Sequence, residues 1–387
     1  MRTDPSIRSR QRAMFAGLLV LWAVLGYFLW QSAARYWEAY LLLTDVASGT
    51  GPSPLKDETE RPQRESVLWK SQRREGAGDL YTPRTQARAR LVLVPGLAVE
   101  GKDHPLMIAF AESFARMGFI VLVPDLANLR ELRASPEDAA TIAAACAWLA
   151  KSGSGGLPEE PVAVAAVSYA AGPAILAAAT PDGEQAIGLI IAIGAYADTI
   201  ETITFVTTGH ARAENGSWVK GVPNIYGRWA FVWANARRMS RDQDRAALLA
   251  IAQRRIQDPQ SPIDYYTRML SSEGRAVLAL IENEDPDAVP RLIEALPPAL
   301  REDIHALNLA RADLSGVRAD VILIHGEDDM IIPVSQSRRL AKLLPSSRVH
   351  LALVAHLMHV EFRDGLDLSD GLTLLGAGER IIAFRDR

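Results

Sequence analysis

The segment Val162-Ala-Val-Ala-Ala-Val-Ser168-Tyr-Ala-Ala-Gly172 decides how this chain folds. Its first six residues are apolar, which predicts a strand buried on both faces, and the small residues after Ser168 begin a helix. Similar apolar runs lie at Arg90–Val94, Phe119–Val123 and Ile187–Ile193, each separated from the next by a stretch with helical periodicity. Strands that alternate with helices in this way predict a parallel sheet covered on both faces.

The helical stretches between these strands are Leu106–Met117, Pro136–Ala150 and Ala170–Thr180. Parallel strands need crossover connections of about this length, and such connections are nearly always right-handed. The predicted fold class is therefore α/β, with a mostly parallel, doubly wound sheet. In such a sheet the ligand site lies at the carboxyl ends of the strands, so functional residues should follow the strands directly.

The sheet pattern stops after Asp198 and resumes at strand Val321–Ile324. Residues 199–316 read as mostly helical, with stretches at Ile225–Met239, Asp242–Gln257, Glu273–Glu282 and Val289–Leu296. We predict that this insertion is a helical cap above the sheet edge, where it can exclude water from the site. The catalytic domain then consists of residues 65–198 and 317–387.

Three aromatic residues, Trp229, Phe231 and Trp233, stand in the first long helix of the predicted cap. Their pattern favours the core of the cap, and a substrate-lining role is the alternative. Beyond the cap, the predicted elements are helix Ser335–Leu344, strand Val349–Val354 and a final helix at Leu372–Phe384.

Ser168 lies where a buried strand turns at once into a helix, which is the arrangement of a nucleophile elbow. The turn is tight and strained, so the residues two before and two after the serine must be small. Glycine is usual there, whereas this sequence has Ala166 and Ala170. A serine that only caps the helix is the alternative interpretation.

Two further polar segments follow strands of the predicted sheet. His325-Gly-Glu-Asp328-Asp329 follows the strand beyond the cap, and His356-Leu-Met-His359 follows the last strand. Together with the elbow, these motifs resemble those of the α/β-hydrolase superfamily. The resemblance extends from about residue 65 to residue 387.

This resemblance implies roles for three residues. Ser168 would be the nucleophile, Asp329 the acid and His359 the base, in the chain order serine, aspartate, histidine. An imidazole that takes the serine proton makes the hydroxyl nucleophilic, and a buried carboxylate fixes the tautomer of that imidazole. The interval from Asp329 to His359 accommodates one helix and one strand.

Other residues remain alternatives for these roles. Asp328 or Asp198 could supply the acid, and His356 could supply the base. Asp329 could instead be a loop carboxylate that caps the helix at Ser335, and either histidine could be an ordinary loop residue.

An oxyanion hole should accompany the three residues, because charge develops on the substrate carbonyl oxygen in the transition state. The resemblance assigns it to two backbone N–H groups, those of Tyr169 and Leu97. Leu97 follows Pro95-Gly96, where the superfamily usually has His-Gly, and Gly96 permits a close approach of the backbone. An ordinary turn glycine is the alternative interpretation of Gly96.

The resemblance implies hydrolysis of a carboxylic ester through an acyl-enzyme. The apolar cap and the membrane anchor predicted below favour an acyl or lipid-like substrate. It does not choose between esterase, lipase, peptidase, thioesterase and acyltransferase. No cofactor and no metal are implied. The departures at Ala166, Ala170, Pro95 and Met358 leave a second hypothesis, an inactive hydrolase-like protein that binds a ligand or partner.

The N-terminus carries an apolar segment. Residues 13–34 contain no charged side chain, which predicts one transmembrane helix that follows a basic cytoplasmic segment, residues 1–12. The catalytic domain would then lie outside the cytoplasm, joined through a juxtamembrane segment and linker at residues 35–64, whose polar part from residue 47 predicts a flexible tether. A cleaved signal peptide and a buried helix of a soluble protein are the alternatives.

Composition excludes several other classes of function. The net charge is −4 over 387 residues and no basic cluster stands out in the predicted domain, so we predict no nucleic-acid partner. The chain has one cysteine, Cys146, which rules out an intrachain disulfide and a zinc site with two thiolates. Its apolar helical surroundings predict a core position. The sequence does not indicate an oligomeric state.

Overall fold

The computed structural model describes residues 30–71, 74–359, 361–362 and 367–387. Its strands are β1 (Gln63–Lys70), β2 (Glu75–Thr82), β3 (Ala89–Val94), β4 (Phe119–Pro124), β5 (Val162–Val167), β6 (Ile187–Ile193), β7 (His210–Arg212), β8 (Trp218–Lys220), β9 (Asp320–Gly326), β10 (Val349–Val354), β11 (Leu357–Met358) and β12 (Glu361–Phe362). Most of them belong to one central sheet.

The α-helices connect these strands and cover the sheet. They are α1 (residues 30–48), α2 (Pro54–Glu58), α3 (Pro105–Arg116), α4 (Ala127–Arg130), α5 (Glu137–Lys151), α6 (Ala171–Ala178), α7 (Pro181–Ala186), α8 (Thr199–Thr208), α9 (Ile225–Asn235), α10 (Asp242–Gln257), α11 (Asp264–Thr267), α12 (Ser272–Ile281), α13 (Val289–Glu294), α14 (Pro298–Ala306), α15 (Ser335–Leu343) and α16 (Leu368–Arg385). Short 3-10 turns lie between several of them, including Ser168–Ala170 and Ala236–Arg238.

The central sheet has eight strands in the order β1-β2-β4-β3-β5-β6-β9-β10. The six strands from β4 to β10 in that order are parallel, whereas β2 pairs antiparallel with β4 and with β1. The prediction of a mostly parallel α/β sheet is therefore confirmed. Because the central strands run the same way, their carboxyl ends meet at one edge of the sheet.

Two apolar cores lie on opposite faces of the sheet. One contains side chains of α5 and α6, including Cys146, which is fully buried as predicted. The other contains side chains of α1, α3 and α16. Alanines in β5, such as Ala163 and Ala165, are completely buried, which explains why this strand has no polar residue.

The insertion between β6 and β9 forms a separate helical layer with its own apolar core. That core includes Val232 of α9, Leu248 and Ile251 of α10 and the buried Trp229. Phe231 only packs against it, and Trp233 is 39% exposed. The prediction that the three aromatic residues belong to the core of the cap is thus right for Trp229 and wrong for Trp233.

The N-terminal segment packs on the domain, so the predicted tether is wrong. Ala39 of α1 is buried and contacts Gly378 of α16. The buried carboxylate of Asp45 accepts a hydrogen bond from Ser113 of α3 (2.6 Å) and forms an ion pair with Lys56 of α2 (3.0 Å). Residues 47–64 are held by these contacts, and β1 already begins within them.

The predicted transmembrane helix falls mostly outside the described residues, because residues 13–29 are not among them. Within the described part of the chain, no helix combines the length and apolar character needed to cross a membrane.

Candidate active site

Ser168 follows β5 in a strained backbone conformation. Its φ is +58°, in the left-handed region that non-glycine residues rarely adopt. Ala166 and Ala170 are fully buried on either side of it and keep negative φ values, so a methyl group fits where glycine is usual. The alanines therefore do not disturb the elbow.

His359 joins Ser168 to Asp329 through two hydrogen bonds. Its Nε2 lies 2.7 Å from Oγ of Ser168, and its Nδ1 lies 2.8 Å from Oδ2 of Asp329. Both distances suit an imidazole that takes the serine proton at Nε2 while the carboxylate accepts the Nδ1 proton. The structure thus brings together the three residues predicted as nucleophile, acid and base.

Asp329 is buried and its carboxylate is fully partnered. Its Oδ1 accepts hydrogen bonds from the N–H groups of Ile331 (2.7 Å) and Ile332 (2.9 Å). Burial alone would raise the pKa of Asp329, but hydrogen bonds from His325 and His359 outweigh burial and hold that pKa well below its ordinary value. The carboxylate is therefore ionised at neutral pH.

His325 is a supporting residue that the sequence analysis did not single out. It is completely buried, with Nε2 2.8 Å from the carbonyl oxygen of Ile332 and 3.4 Å from Oδ2 of Asp329. Its Nδ1 lies 2.6 Å from the hydroxyl of Ser337 in α15. A proton on Nε2 satisfies the carbonyl and leaves Nδ1 to accept from Ser337. The only sequence signal was its place at the start of the motif that ends in Asp329.

The position of His359 depends on its own backbone and on Gly194. The φ of His359 is +55°, and it directly follows the two-residue strand β11. A side chain at Gly194 would place a Cβ atom 3.3 Å from the imidazole ring, and the φ of Gly194 is +66°. Glycine alone adopts this positive φ without strain and leaves room for the ring, so the backbone of the loop after β6 can lie directly beside the imidazole of His359.

The alternative residues lie elsewhere. Asp328 is exposed. Asp198 caps α8, since its Oδ1 accepts from the N–H of Ile200 (2.9 Å). His356 contacts Asp370 of α16, with Nδ1 2.8 Å from Oδ2. None of the three joins the hydrogen-bond chain from Ser168.

One group of side chains in the described residues has ligand spacing for a cation. The ligand atoms of His356, Asp367 and Asp370 lie within 4.8 Å of one another. Asp370, however, already accepts hydrogen bonds from the N–H groups of Ala355 (2.9 Å) and His356 (3.0 Å) as well as from the His356 ring. These contacts explain the group as a clamp on the loop that carries His359.

The predicted oxyanion donors border the serine. Tyr169 is the second residue of the 3-10 turn that begins at Ser168, where N–H groups have no intrahelical acceptor. Leu97 lies in the loop after β3, and a Cβ atom on the preceding Gly96 would be 3.6 Å from Cβ of Ser168. The loop that carries Leu97 therefore lies directly beside the elbow.

Ser168 opens into a cavity of about 360 Å³ between the sheet edge and the insertion. Most of its lining is apolar, and the residues are Leu97, Leu132, Ala134, Ser168, Tyr169, Tyr196, Thr199, Thr202, Ile203, Val206, Thr207, Gly227, Ala230, Phe231, Asn235, Arg238, Ile281, Leu300, Asp303, Ile304, Leu307, Ile331 and Ile332. The rings of Tyr169 and Tyr196 stack with centroids 6.3 Å apart. Burial raises the pKa of both phenols, so they stay neutral.

Comparison with known proteins gives a partial sequence match and structural matches of low identity. No family model matches the chain. Over 91 residues it is 29% identical to the 2-hydroxy-6-oxo-2,4-heptadienoate hydrolase of Pseudomonas putida, which covers 23% of this chain and 33% of that protein.

Two solved structures are among those to which the chain is similar. An acylaminoacyl peptidase of Pyrococcus horikoshii is 12% identical with a TM-score of 0.45, over 86% of this chain and 42% of the peptidase. A dienelactone hydrolase of Anabaena variabilis is 13% identical with a TM-score of 0.41, over 83% of this chain and 97% of that one. The chain thus matches about a third of the Pseudomonas relative and less than half of the peptidase. By its own strand order, its elbow and the chain order of Ser168, Asp329 and His359, the chain has the fold of the α/β-hydrolase superfamily.

Proposed function

We propose that this chain is a serine hydrolase that cleaves carboxylic esters through an acyl-enzyme on Ser168. The observation that carries the proposal is the hydrogen-bond chain from Ser168 through His359 to Asp329, with distances of 2.7 and 2.8 Å. A buried, ionised carboxylate behind the imidazole and a strained serine in front of it are what acyl transfer to a hydroxyl requires.

In the first half of the reaction, Oγ of Ser168 attacks the ester carbonyl carbon while its proton passes to Nε2 of His359. The carbonyl oxygen becomes an oxyanion, which the N–H groups of Tyr169 and Leu97 stabilise. When this intermediate collapses, the bond to the alcohol oxygen breaks and His359 donates its proton to that oxygen. The alcohol leaves, and the acyl group stays on Ser168.

In the second half, water attacks the acyl-enzyme and gives its proton to Nε2 of His359. The resulting oxyanion occupies the same two donors, and its collapse returns the proton to Oγ of Ser168 and releases the acid. Asp329 keeps its negative charge throughout, because it stabilises the imidazolium without accepting a proton.

The apolar lining of the cavity favours a substrate whose acyl or alcohol part is apolar. Side chains of the insertion such as Ile203, Phe231 and Leu300 face Ser168 across it, so the substrate would be taken out of water during the reaction. In this role the insertion acts as the cap that the sequence suggested. A volume of about 360 Å³ accommodates a small or medium-sized ester.

We also propose that residues 13–34 anchor the enzyme in a membrane with the N-terminus in the cytoplasm. The apolar sequence supports the anchor, and so do the exposed aromatic side chains of Trp30, Trp37 and Tyr40 on α1, since such rings favour the membrane interface. Protease added to intact spheroplasts should digest the domain. Digestion only after lysis would reverse the orientation.

Labelling with a fluorophosphonate tests the proposed chemistry, because this probe reacts with activated serines. We expect the full chain to be labelled, and Ser168→Ala to lose both the label and about 10⁶-fold of the turnover of an activated ester. Ser135→Ala is a matched control, because Ser135 is buried near the cavity, next to the ring of Tyr169, but outside the hydrogen-bond chain.

Labelling that persists in Ser168→Ala would refute the assignment of the nucleophile. A folded wild-type chain that takes no label would favour the alternative function, an inactive hydrolase-like protein that binds its ligand in the same cavity.

A further inference from the structure

A second cavity, also of about 360 Å³, lies beside the one that contains Ser168. Its lining is strongly basic, and the residues are Val99, Arg130, Glu131, Arg133, Trp233, Ala234, Arg237 and Arg238. Four arginines and one glutamate in one small cavity are unusual for a chain whose net charge is −4. We refer to it as the arginine cavity.

The loop after α4 forms a wall shared by the two cavities. Leu132 and Ala134 line the cavity of Ser168, whereas Glu131 and Arg133 line the arginine cavity. Leu132 has a φ of +57°, a strained conformation for a leucine. The backbone of this loop therefore sends apolar side chains to one cavity and charged side chains to the other.

Helix α9 and the turn after it form a second shared wall. Ala230 and Phe231 line the cavity of Ser168, and Trp233 and Arg237 line the arginine cavity. Arg238 lines both. The arginine cavity is thus directly next to the reaction site, with one guanidinium at the boundary.

The arginines of this cavity are only partly neutralised. Arg130 forms an ion pair with Asp125 (3.2 Å), and Arg238 forms one with Asp303 (2.6 Å). Arg237 is exposed and has no hydrogen-bond or ion-pair partner within the described part of the chain.

Arg133 has no ion-pair partner among the described residues either. It donates to the neutral side chain of Asn128, which in turn donates to the buried Asp138 (2.9 Å), and Nε of Arg133 is buried without a partner. Arg133 and Arg237 therefore form no ion pair among the described residues, although the buried Asp138 attracts Arg133 from beyond ion-pair distance. Glu131 is the one carboxylate residue in the lining of the arginine cavity.

We propose that the arginine cavity binds a carboxylate group of the substrate, so that the enzyme prefers esters with an apolar middle and an anionic end. Guanidinium groups bind carboxylates with charge-assisted, often bidentate hydrogen bonds, which are stronger than neutral ones. The apolar part occupies the cavity of Ser168, and the anionic end passes Arg238 to reach Arg237. This inference rests on the proposed function, since it names the substrate class of that same site.

Half-esters of dicarboxylic acids test the inference. The full chain is assayed with mono-p-nitrophenyl esters of increasing chain length, each compared with the neutral p-nitrophenyl ester of equal length. The quantity of interest is the ratio of kcat/KM for the anionic ester to kcat/KM for the neutral one. We expect this ratio to exceed one at the chain length that spans from Ser168 to Arg237.

Arg237→Gln should lower the ratio about tenfold, mainly through KM, because one charge-assisted hydrogen bond is lost. Arg237 is exposed, so the variant should fold. Arg268→Gln is the matched control, since Arg268 is an exposed arginine of the same insertion that lines neither cavity. A ratio at or below one for every chain length, or an equal loss in Arg268→Gln, would overturn the inference.

Failure of the inference and failure of the proposed function are distinguishable. A chain that takes the fluorophosphonate label but shows no anionic preference keeps its function as a hydrolase and loses only the arginine site. For a chain that takes no label, calorimetric titration with free dicarboxylates decides, because binding needs no turnover. Binding that is weaker in Arg237→Gln than in Arg268→Gln supports the site, and no binding to the wild type excludes it.

Discussion

Replacement of Asp329 by asparagine should abolish most of the activity while leaving the fold intact. In the wild type, Oδ1 of Asp329 accepts from the N–H groups of Ile331 and Ile332, and Oδ2 faces Nδ1 of His359. An asparagine must keep its single oxygen on the two N–H donors, because its amide NH₂ group cannot accept from them. That NH₂ group then faces His359.

A donor at this position forces the wrong tautomer of the imidazole. Nδ1 of His359 must accept, so its proton moves to Nε2, which lies 2.7 Å from Oγ of Ser168 and can no longer take the serine proton. A change of this kind costs about 10⁴-fold in kcat, which corresponds to about 5.4 kcal/mol of transition-state free energy. The buried N–H groups keep their acceptor, so the thermal midpoint should move by only a few degrees.

The assay is the turnover of p-nitrophenyl esters by Asp329→Asn and by Asp328→Asn, with the labelling rate of Ser168 measured in parallel. Asp328 is the matched control, because it is the exposed neighbour and the change in formal charge is the same. Turnover of Asp329→Asn within tenfold of the wild type, or an equal loss in Asp328→Asn, would refute the assigned role of Asp329.

Two further predictions concern residues around the site. Burial raises the pKa of Asp138 to about 6, so its contribution to stability is present below pH 4 and is lost as the pH rises through 6. Asp138→Asn should therefore stabilise the protein against urea by up to roughly 3 kcal/mol at pH 8 and by less at pH 5, and equal effects at both pH values would contradict this. Asp370→Ala removes the acceptor for the N–H groups of Ala355 and His356 and should lower kcat roughly tenfold by loosening the loop of His359, whereas a change below twofold would show that the clamp does not position the base.

Much of the sheet was predictable because its strands are continuous apolar runs. β5, β6 and β10 have the predicted bounds, and the other strands of the parallel part differ by only a few residues. The location of Ser168, Asp329 and His359 followed from the same pattern, because each comes soon after a strand whose carboxyl end lies at one edge of the sheet.

The predictions that failed, for the tether and for Trp233, depended on tertiary contacts that composition does not show. Residues 47–64 are rich in polar residues, yet Lys56 of this segment forms an ion pair with the buried carboxylate of Asp45 in α1, which also accepts a hydrogen bond from Ser113 of α3. The aromatic residues of α9 are two positions apart, which turns successive side chains by about 200° around the helix axis. Trp229 and Trp233 therefore lie on nearly the same side of α9, one turn apart. They differ because the core of the insertion reaches Trp229 but not Trp233, which lies near the end of the helix and lines the arginine cavity.

The packing of α1 on α16 determines where recombinant versions of this protein can begin. A shortened chain that starts at residue 65 would lack the buried Ala39 and Leu42, and it would leave Arg385 without Glu38, its partner at 2.6 Å. Exposed apolar faces on α3 and α16 would then promote aggregation. A chain that starts at residue 30 keeps every contact of α1 that the structure describes, so soluble expression should be attempted from there.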